Sequence, residues 1–178
     1  KGIPVIMDAK RGDIGKTSAA YAKSMFDYWN ADAVTLIAYL GSDSLGPFFD
    51  YAKKGRGMYV LCRTSNPGAT DLQNLYVQHS RNPLSTLGAK KLYEHVAQKV
   101  IDWSTMFDAD GGMCAVAGAT YPKELEQLST KFVKSGKEIP LLIPGVGAQG
   151  GSVSDVMHAL KRTNNDLALH RINSTSAI

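Results

Sequence analysis

Residues 3–29 read IPVIMDAKRGDIGKTSAAYAKSMFDYW: an apolar run, a charged junction, then a segment of helical periodicity. The run at 3–7 predicts a strand. Residues 18–29 predict a helix, because Ala22, Met25, Phe26 and Trp29 recur at three- and four-residue spacing and make one apolar stripe, with Lys23 and Asp27 free to face outward. A strand that passes through a polar turn into an amphipathic helix is the repeating unit of a parallel sheet. The unit recurs downstream. Residues 33–38 predict a second strand, followed by a helix that Ser42 can cap, with Leu45, Phe48, Phe49 and Ala52 inward and Gly55 as its stop. Residues 57–62 predict a third strand, and TSNPGATDLQ a long polar loop with a Pro-Gly turn. A helix is expected over 87–106, with Leu92, Val96, Val100 and Trp103 toward the core. A strand over 112–117 follows, then a helix from Pro122 carrying Leu125, Leu128 and Phe132. Strands at 139–143 and 167–172 flank a short helix at 153–160, giving six strands and five intervening helices.

Composition narrows the class. With 178 residues, 44% of them apolar and 20% charged, the chain can bury a continuous core, which excludes extended disorder. A net charge of +4 suits phosphorylated or carboxylated ligands and is too modest to imply nucleic acid. Cys62 and Cys114 sit in apolar runs, so a disulfide scaffold is not expected and a reducing compartment is. No apolar stretch approaches the roughly 20 residues of a membrane span, and the first residues contain no separate signal region, so a soluble protein with no membrane partner is expected. Six units in this length favour an open α/β sheet, since a full (β/α)8 barrel takes roughly 250 residues. The polar groups argue the other way, because nearly all of them follow strand ends, as on the active rim of a barrel.

Three segments carry chemistry. In Asp8-Ala9-Lys10-Arg11-Gly12-Asp13 two acids bracket a lysine, and period-two spacing in an extended segment would point Asp8 and Lys10 into one pocket. There an ammonium can deliver a proton to developing negative charge, while the carboxylate repels an anionic group that leaves. A solvated ion-pair cluster has the same spacing. In PGVGAQGG, residues 144–151, glycines can bring backbone amides to a phosphate and Gln149 can donate a side-chain hydrogen bond. It is neither a P-loop nor a dinucleotide fingerprint. Thr64-Ser65-Asn66-Pro67-Gly68 offers hydroxyl and amide groups to a planar heterocycle, and also reads as a tight turn. His79, His95, His158 and His170 are scattered, without metal-site spacing, and no serine lies in GxSxG.

Taken together these segments resemble the orotidine 5'-phosphate decarboxylase family, especially the branch that reads DAKRGDIG. The family pattern DxKxxD, then I and a downstream T, falls on Asp8, Lys10, Asp13, Ile14 and Thr17 without gaps. Ser65 and Pro67-Gly68 match its base-recognition segment, Gly118-Ala119-Thr120 the end of a later strand, and PGVGAQGG its phosphate loop. The resemblance implies a TIM (β/α)8 barrel, of which this chain would cover strands three to eight as a single, N-terminally incomplete domain. It implies decarboxylation of orotidine 5'-phosphate to UMP without a cofactor, in a homodimer with shared sites; no metal is expected from the residue spacing, and with no visible targeting signal the cytoplasm is the expected location. Asp8 would lie near the substrate carboxylate, and Lys10 would protonate pyrimidine C6. Asp13, Ile14 and Thr17 would serve the neighbouring subunit's site. Ser65 would meet the base, and Gln149 and Gly147 belong to the segment implied at the phosphate. A fused orotate phosphoribosyltransferase is a further possibility of the family's pathway.

The sequence also departs from the family. An acid and a lysine that the family draws from earlier strands have no counterpart in the chain. Ser176 stands where a phosphate-binding arginine is usual, with Arg171 out of strand parity to replace it, and Ile37-Ala38 replaces a common Asn-Pro. A related phosphosugar lyase or decarboxylase of the same barrel superfamily, often Mg²⁺-dependent, is the alternative enzyme. A noncatalytic nucleotide-binding protein is the alternative of another class.

Overall fold

The computed structural model describes residues 2–78, 88–109 and 111–174. Its strands are β1 (Ile6–Arg11), β2 (Ala33–Leu36), β3 (Gly57–Arg63), β4 (Tyr76–Val77), β5 (Lys90–Lys91), β6 (Met113–Ala117), β7 (Leu141–Ile143) and β8 (Arg171–Ile172). The helices are α1 (Gly15–Lys23), α2 (Ser42–Phe49), α3 (Thr70–Gln73), α4 (Leu92–Met106), α5 (Pro122–Lys134) and α6 (Val153–Arg162). The short strands β4 and β5 pair antiparallel as a separate ribbon. The other six make one parallel sheet in the order β1-β2-β3-β6-β7-β8.

Spatial order therefore equals chain order. A doubly wound sheet reverses direction at a switch point, and this one does not. Because parallel connections are right-handed almost without exception, this order sends the helices that join neighbouring strands to one face. That face buries the main core, in which Val34, Leu36, Met58, Val60, Ala115 and Leu141 meet Phe26, Leu45, Phe48, Val100, Leu125 and Phe132. Fully burying each large apolar side chain contributes about 1.5–3 kcal/mol. The opposite face carries its own small cluster of Ala33, Tyr59, Cys114, Val116 and Leu142. A flat sheet with no second helical layer would leave these residues wet. The sheet instead curls around them, as the wall of a (β/α)8-type barrel does, and the open sheet expected from length is corrected.

Other expectations are corrected locally. Trp29 is 61% exposed and leaves the predicted stripe, because residues Ser24–Tyr28 form a π turn closed by the Trp29 N–H on Ser24 O, which rotates later side chains off the α-helical register. Gly41, at φ +90°, takes the N-cap position expected of Ser42, which lies inside α2. The helix expected from 87 starts at Leu92, whose N–H bonds Leu75 O, and Lys90-Lys91 pair with β4; Leu87 lies outside the described residues. The polar loop after β3 contains a 3-10 turn at Pro67–Ala69 and α3. The last strand shortens to Arg171–Ile172, since the Asp166 carboxylate accepts the Ala168 N–H and sets a 3-10 turn over Leu167–Leu169. The first strand begins at Ile6 and runs on through Arg11, so Asp8, Lys10 and Arg11 of the charged motif lie within β1 and Gly12 and Asp13 follow it.

Two predictions concern stability. A Cβ added at Gly112 would stand 2.7 Å from Ala52 Cβ and 2.8 Å from Arg56 O. Gly112→Ala should therefore lower unfolding free energy by about 1–3 kcal/mol in urea titration, while Gly68→Ala, whose nearest contact is an ordinary 3.5 Å, stays near wild type. Burial pushes the free Cys62 and Cys114 thiols up from 9.0 to about 12. An unfolded chain ionises them first, so stability should be intact below pH 9 and fall as pH rises toward about 12, a loss that Cys62→Ala/Cys114→Ala reduces in alkaline denaturation.

Candidate active site

At the C-terminal ends of the parallel strands lies a cavity of about 460 Å³. Its floor is apolar, from Leu61, Val116 and Leu142, and its rim carries Asp8, Lys10, Thr35, Ser65, Gln149 and Asn173. A groove of about 500 Å³ between α4 and α5 is also present, but none of the six parallel strands lines it.

β1 does not pass the cavity as a regular strand. Met7 pairs with Val34 and Arg11 with Leu36, so β1 advances four positions where β2 advances two. The two extra residues form a bulge, and within it Lys10 takes φ +47°, which a non-glycine residue rarely adopts. Thr35 on β2, 1% exposed, holds this bulge from both sides. Its hydroxyl oxygen accepts the Lys10 N–H at 2.9 Å, and the hydroxyl donates to Asp8 Oδ1 at 2.9 Å. Lys10 Nζ then donates to Asp8 Oδ2 at 2.6 Å. Both expected residues reach the cavity by the predicted period-two alternation, since Ile6, Asp8 and Lys10 face inward while Met7 and Ala9 pack on the helical side; the bulge adds the left-handed turn at Lys10.

The electrostatics follow from these bonds. Partial burial pushes the Asp8 carboxyl up, but hydrogen bonds from Lys10 and Thr35, with the Lys10 charge, outweigh it and hold Asp8 below its ordinary 3.8. The two side chains are 58% and 52% exposed. An ion pair so open to water stabilises a fold little. Its geometry instead places a charged donor and a carboxylate side by side at an open mouth.

Ser65 enters from the other side. It sits between two glycines, Gly118 after β6 and Gly145 after β7: an added Cβ would fall 2.8 Å from Ser65 Cα at the first and 2.6 Å from Ser65 Cβ at the second. Gly145 also has φ +98°. So cradled, Ser65 donates its hydroxyl to Gln149 Oε1 at 2.6 Å, joining the loop after β3 to the glycine loop after β7. Thr120 Oγ1 donates to Ser65 O and secures the backbone.

Asp8, Lys10, Ser65 and Gln149 are thus brought together, while Asp13, Ile14, Thr17, Pro67 and Gly147 do not line the cavity. Asp13 accepts the Ile14 N–H, and Ile14 (62% exposed) and Thr17 face solvent at the start of α1. Pro67 opens the 3-10 turn, and the Gly147 N–H is committed to Gly151 O. Arg171 donates to the Ala168 and His170 carbonyls rather than lining the cavity; Ser176 and His79 lie outside the described residues. His170 is buried with its Nδ1 accepting the Leu141 N–H, and burial holds its pKa below 6.5. Sequence reading missed Thr35 and Asn173. A threonine within an apolar strand gives no signal until the bulge beside it is seen.

The sequence model of the Orotidine 5'-phosphate decarboxylase / HUMPS family matches residues 1–172. An orotidine 5'-phosphate decarboxylase of Janthinobacterium sp. (strain Marseille) is 46% identical over 178 residues, covering 99% of this chain and 57% of that protein. Leishmania donovani UMP synthase matches with a TM-score of 0.78 and 39% identity, over 97% of this chain and 34% of that one. The OMP decarboxylase structure from the same organism matches with a TM-score of 0.74 and 36% identity, over 97% and 59%. The chain spans little more than half the length of the curated relatives it matches. With the curled parallel sheet and the strand-end cavity, the match over residues 1–172 places this chain in the Orotidine 5'-phosphate decarboxylase / HUMPS family.

Proposed function

We propose that the chain carries the catalytic wall of an orotidine 5'-phosphate decarboxylase, which converts orotidine 5'-phosphate to UMP and CO₂ in pyrimidine biosynthesis without a cofactor. The observation that carries this reading is the Asp8–Lys10 pair, 2.6 Å apart at the mouth of a cavity whose far rim is the Ser65–Gln149 bond. The substrate's C6 carboxylate would lie beside Asp8, whose charge disfavours it until it leaves. As the C6–carboxylate bond breaks, its electron pair stays on C6 and the carboxylate departs as CO₂. Lys10 then gives C6 a proton, becomes a neutral amine and regains a proton from solvent. Leu61, Val116 and Leu142 supply an apolar wall for the departing CO₂. Ser65 reads the pyrimidine, and Gln149 with the Gly147 loop approaches the phosphate.

On this reading the six-stranded sheet corresponds to strands three to eight of an eight-stranded barrel in the DAKRGDIG branch, and residues 1–178 belong to one domain. Asp13, Ile14 and Thr17 complete the site of a neighbouring copy in a homodimer. Their place outside the cavity, with Ile14 an exposed apolar side chain, supports that role. The two free buried thiols fit a reducing cytoplasm. A fused orotate phosphoribosyltransferase also belongs to the proposal, and the partners are the small anionic nucleotides rather than nucleic acid or membrane.

In the intact protein, Lys10→Ala should lower turnover of orotidine 5'-phosphate by a factor on the order of 10³ or more, with circular dichroism unchanged; near-normal turnover overturns the assignment. Thr35→Val should cost about 10- to 100-fold in kcat, and Thr35→Ser much less, because only valine removes the bond to a charged carboxylate. Because Asp8 titrates below 3.8, its acid limb in kcat should lie below that pH and move upward in Thr35→Val. Any stability Asp8 contributes is present above 3.8 and lost as pH falls through its lowered value.

A further inference from the structure

We propose that Arg63 and Gln73 form a clamp outside the cavity that fixes Ser65 in place, and that they are positioning residues for the segment that reads the nucleotide. The inference rests on the proposed contact between Ser65 and the pyrimidine.

The argument starts from strand parity. On β3, Tyr59 belongs to the cluster inside the curled sheet and Leu61 packs against it, while Met58, Val60 and Cys62 face the helices. Strict alternation would send residue 63 inward, above Leu61 and toward the cavity. A second bulge prevents this: Leu61 pairs with Val116 and Arg63 with Ala117, so β3 advances two positions against one. The extra residue re-aims Arg63. Its guanidinium lies 3.7 Å from the Tyr121 ring centroid and 5.9 Å from that of Tyr93, and the residue is 1% exposed.

A buried cation is costly to desolvate, and an apolar side chain of similar volume commonly replaces one without loss of stability. Arg63 makes no ion pair among the described residues, and its Nε and Nη2 have no hydrogen-bond partner there. Its one side-chain hydrogen bond among the described residues therefore carries the meaning. Arg63 Nη1 donates to Gln73 Oε1 at 3.1 Å, which fixes which end of the Gln73 amide faces the strand end. In that orientation Gln73 Oε1 also accepts the Thr64 N–H at 3.0 Å, and Gln73 Nε2 donates to Thr64 Oγ1 at 2.8 Å. Thr64 Oγ1 passes the constraint on to Asn66 Oδ1 at 2.7 Å. Both neighbours of Ser65 are held, and its hydroxyl stays free for Gln149.

The test uses the intact protein with Gln73→Leu, Arg63→Met and Ser65→Ala. In the ligand-free protein, Gln73→Leu should speed hydrogen exchange at the Thr64 amide roughly tenfold or more, since its acceptor is gone; an unchanged rate overturns the clamp whether or not the protein is a decarboxylase. In turnover of orotidine 5'-phosphate, Gln73→Leu should raise KM roughly 3- to 10-fold with kcat little altered. In a Ser65→Ala background the same substitution should add almost nothing, because the clamp acts through Ser65. Additive losses in the two backgrounds would mean a merely structural role and overturn the proposal. Should Arg63→Met fail to fold, the Gln73 and Ser65 variants decide alone. A wild-type protein that neither turns over orotidine 5'-phosphate nor binds UMP defeats the functional reading and leaves the exchange result standing.

Discussion

The hydroxyl of Thr35 is the interaction on which the site depends. It accepts from the Lys10 backbone and donates to the Asp8 carboxylate, so one buried group holds both the strained turn of the chain and the direction of the acid it presents. Left-handed backbone at a lysine persists only where its surroundings over-determine it. Here the surroundings are β2 on one side and the ion pair on the other. The pair itself is too exposed to stabilise the fold, so its arrangement is set by the strand beneath it.

The same device recurs across the cavity. The bulge in β1 leaves Lys10 facing the cavity, and the bulge in β3 turns Arg63 away from it. The difference decides the electrostatics: Lys10 is the one cationic side chain lining the cavity among the described residues. Two glycines at the ends of β6 and β7 then admit Ser65 at distances no side chain would permit, and the Ser65–Gln149 bond ties together two loops 84 residues apart in the chain.

Much of this was legible in the sequence and some could not be. Apolar spacing located the sheet strands and the main helices, because burial on one helical face leaves a periodic trace that single residues such as Phe48 or Leu125 report directly. It failed at Trp29, where a π turn changed the period, and at Lys90–Lys91, where pairing with Tyr76–Val77 outweighed helical pattern. Length misled about the fold, since 178 residues are enough for an open sheet and the strand order is not written in any one segment. In the site, Asp8, Lys10, Ser65 and Gln149 stood out as residue types. Thr35, Arg63 and Gln73 did not, because their roles arise from two bulges, and a bulge leaves little signature when neither of its residues is glycine.

The most direct measurement is a high-resolution crystal structure of the intact Thr35→Val protein. With the hydroxyl gone, the Asp8 carboxylate should turn away from Lys10 Nζ beyond hydrogen-bonding distance, and Lys10 should leave its φ of +47°. A variant that keeps the 2.6 Å contact and the left-handed Lys10 would contradict the claim that Thr35 sets the geometry of the pair.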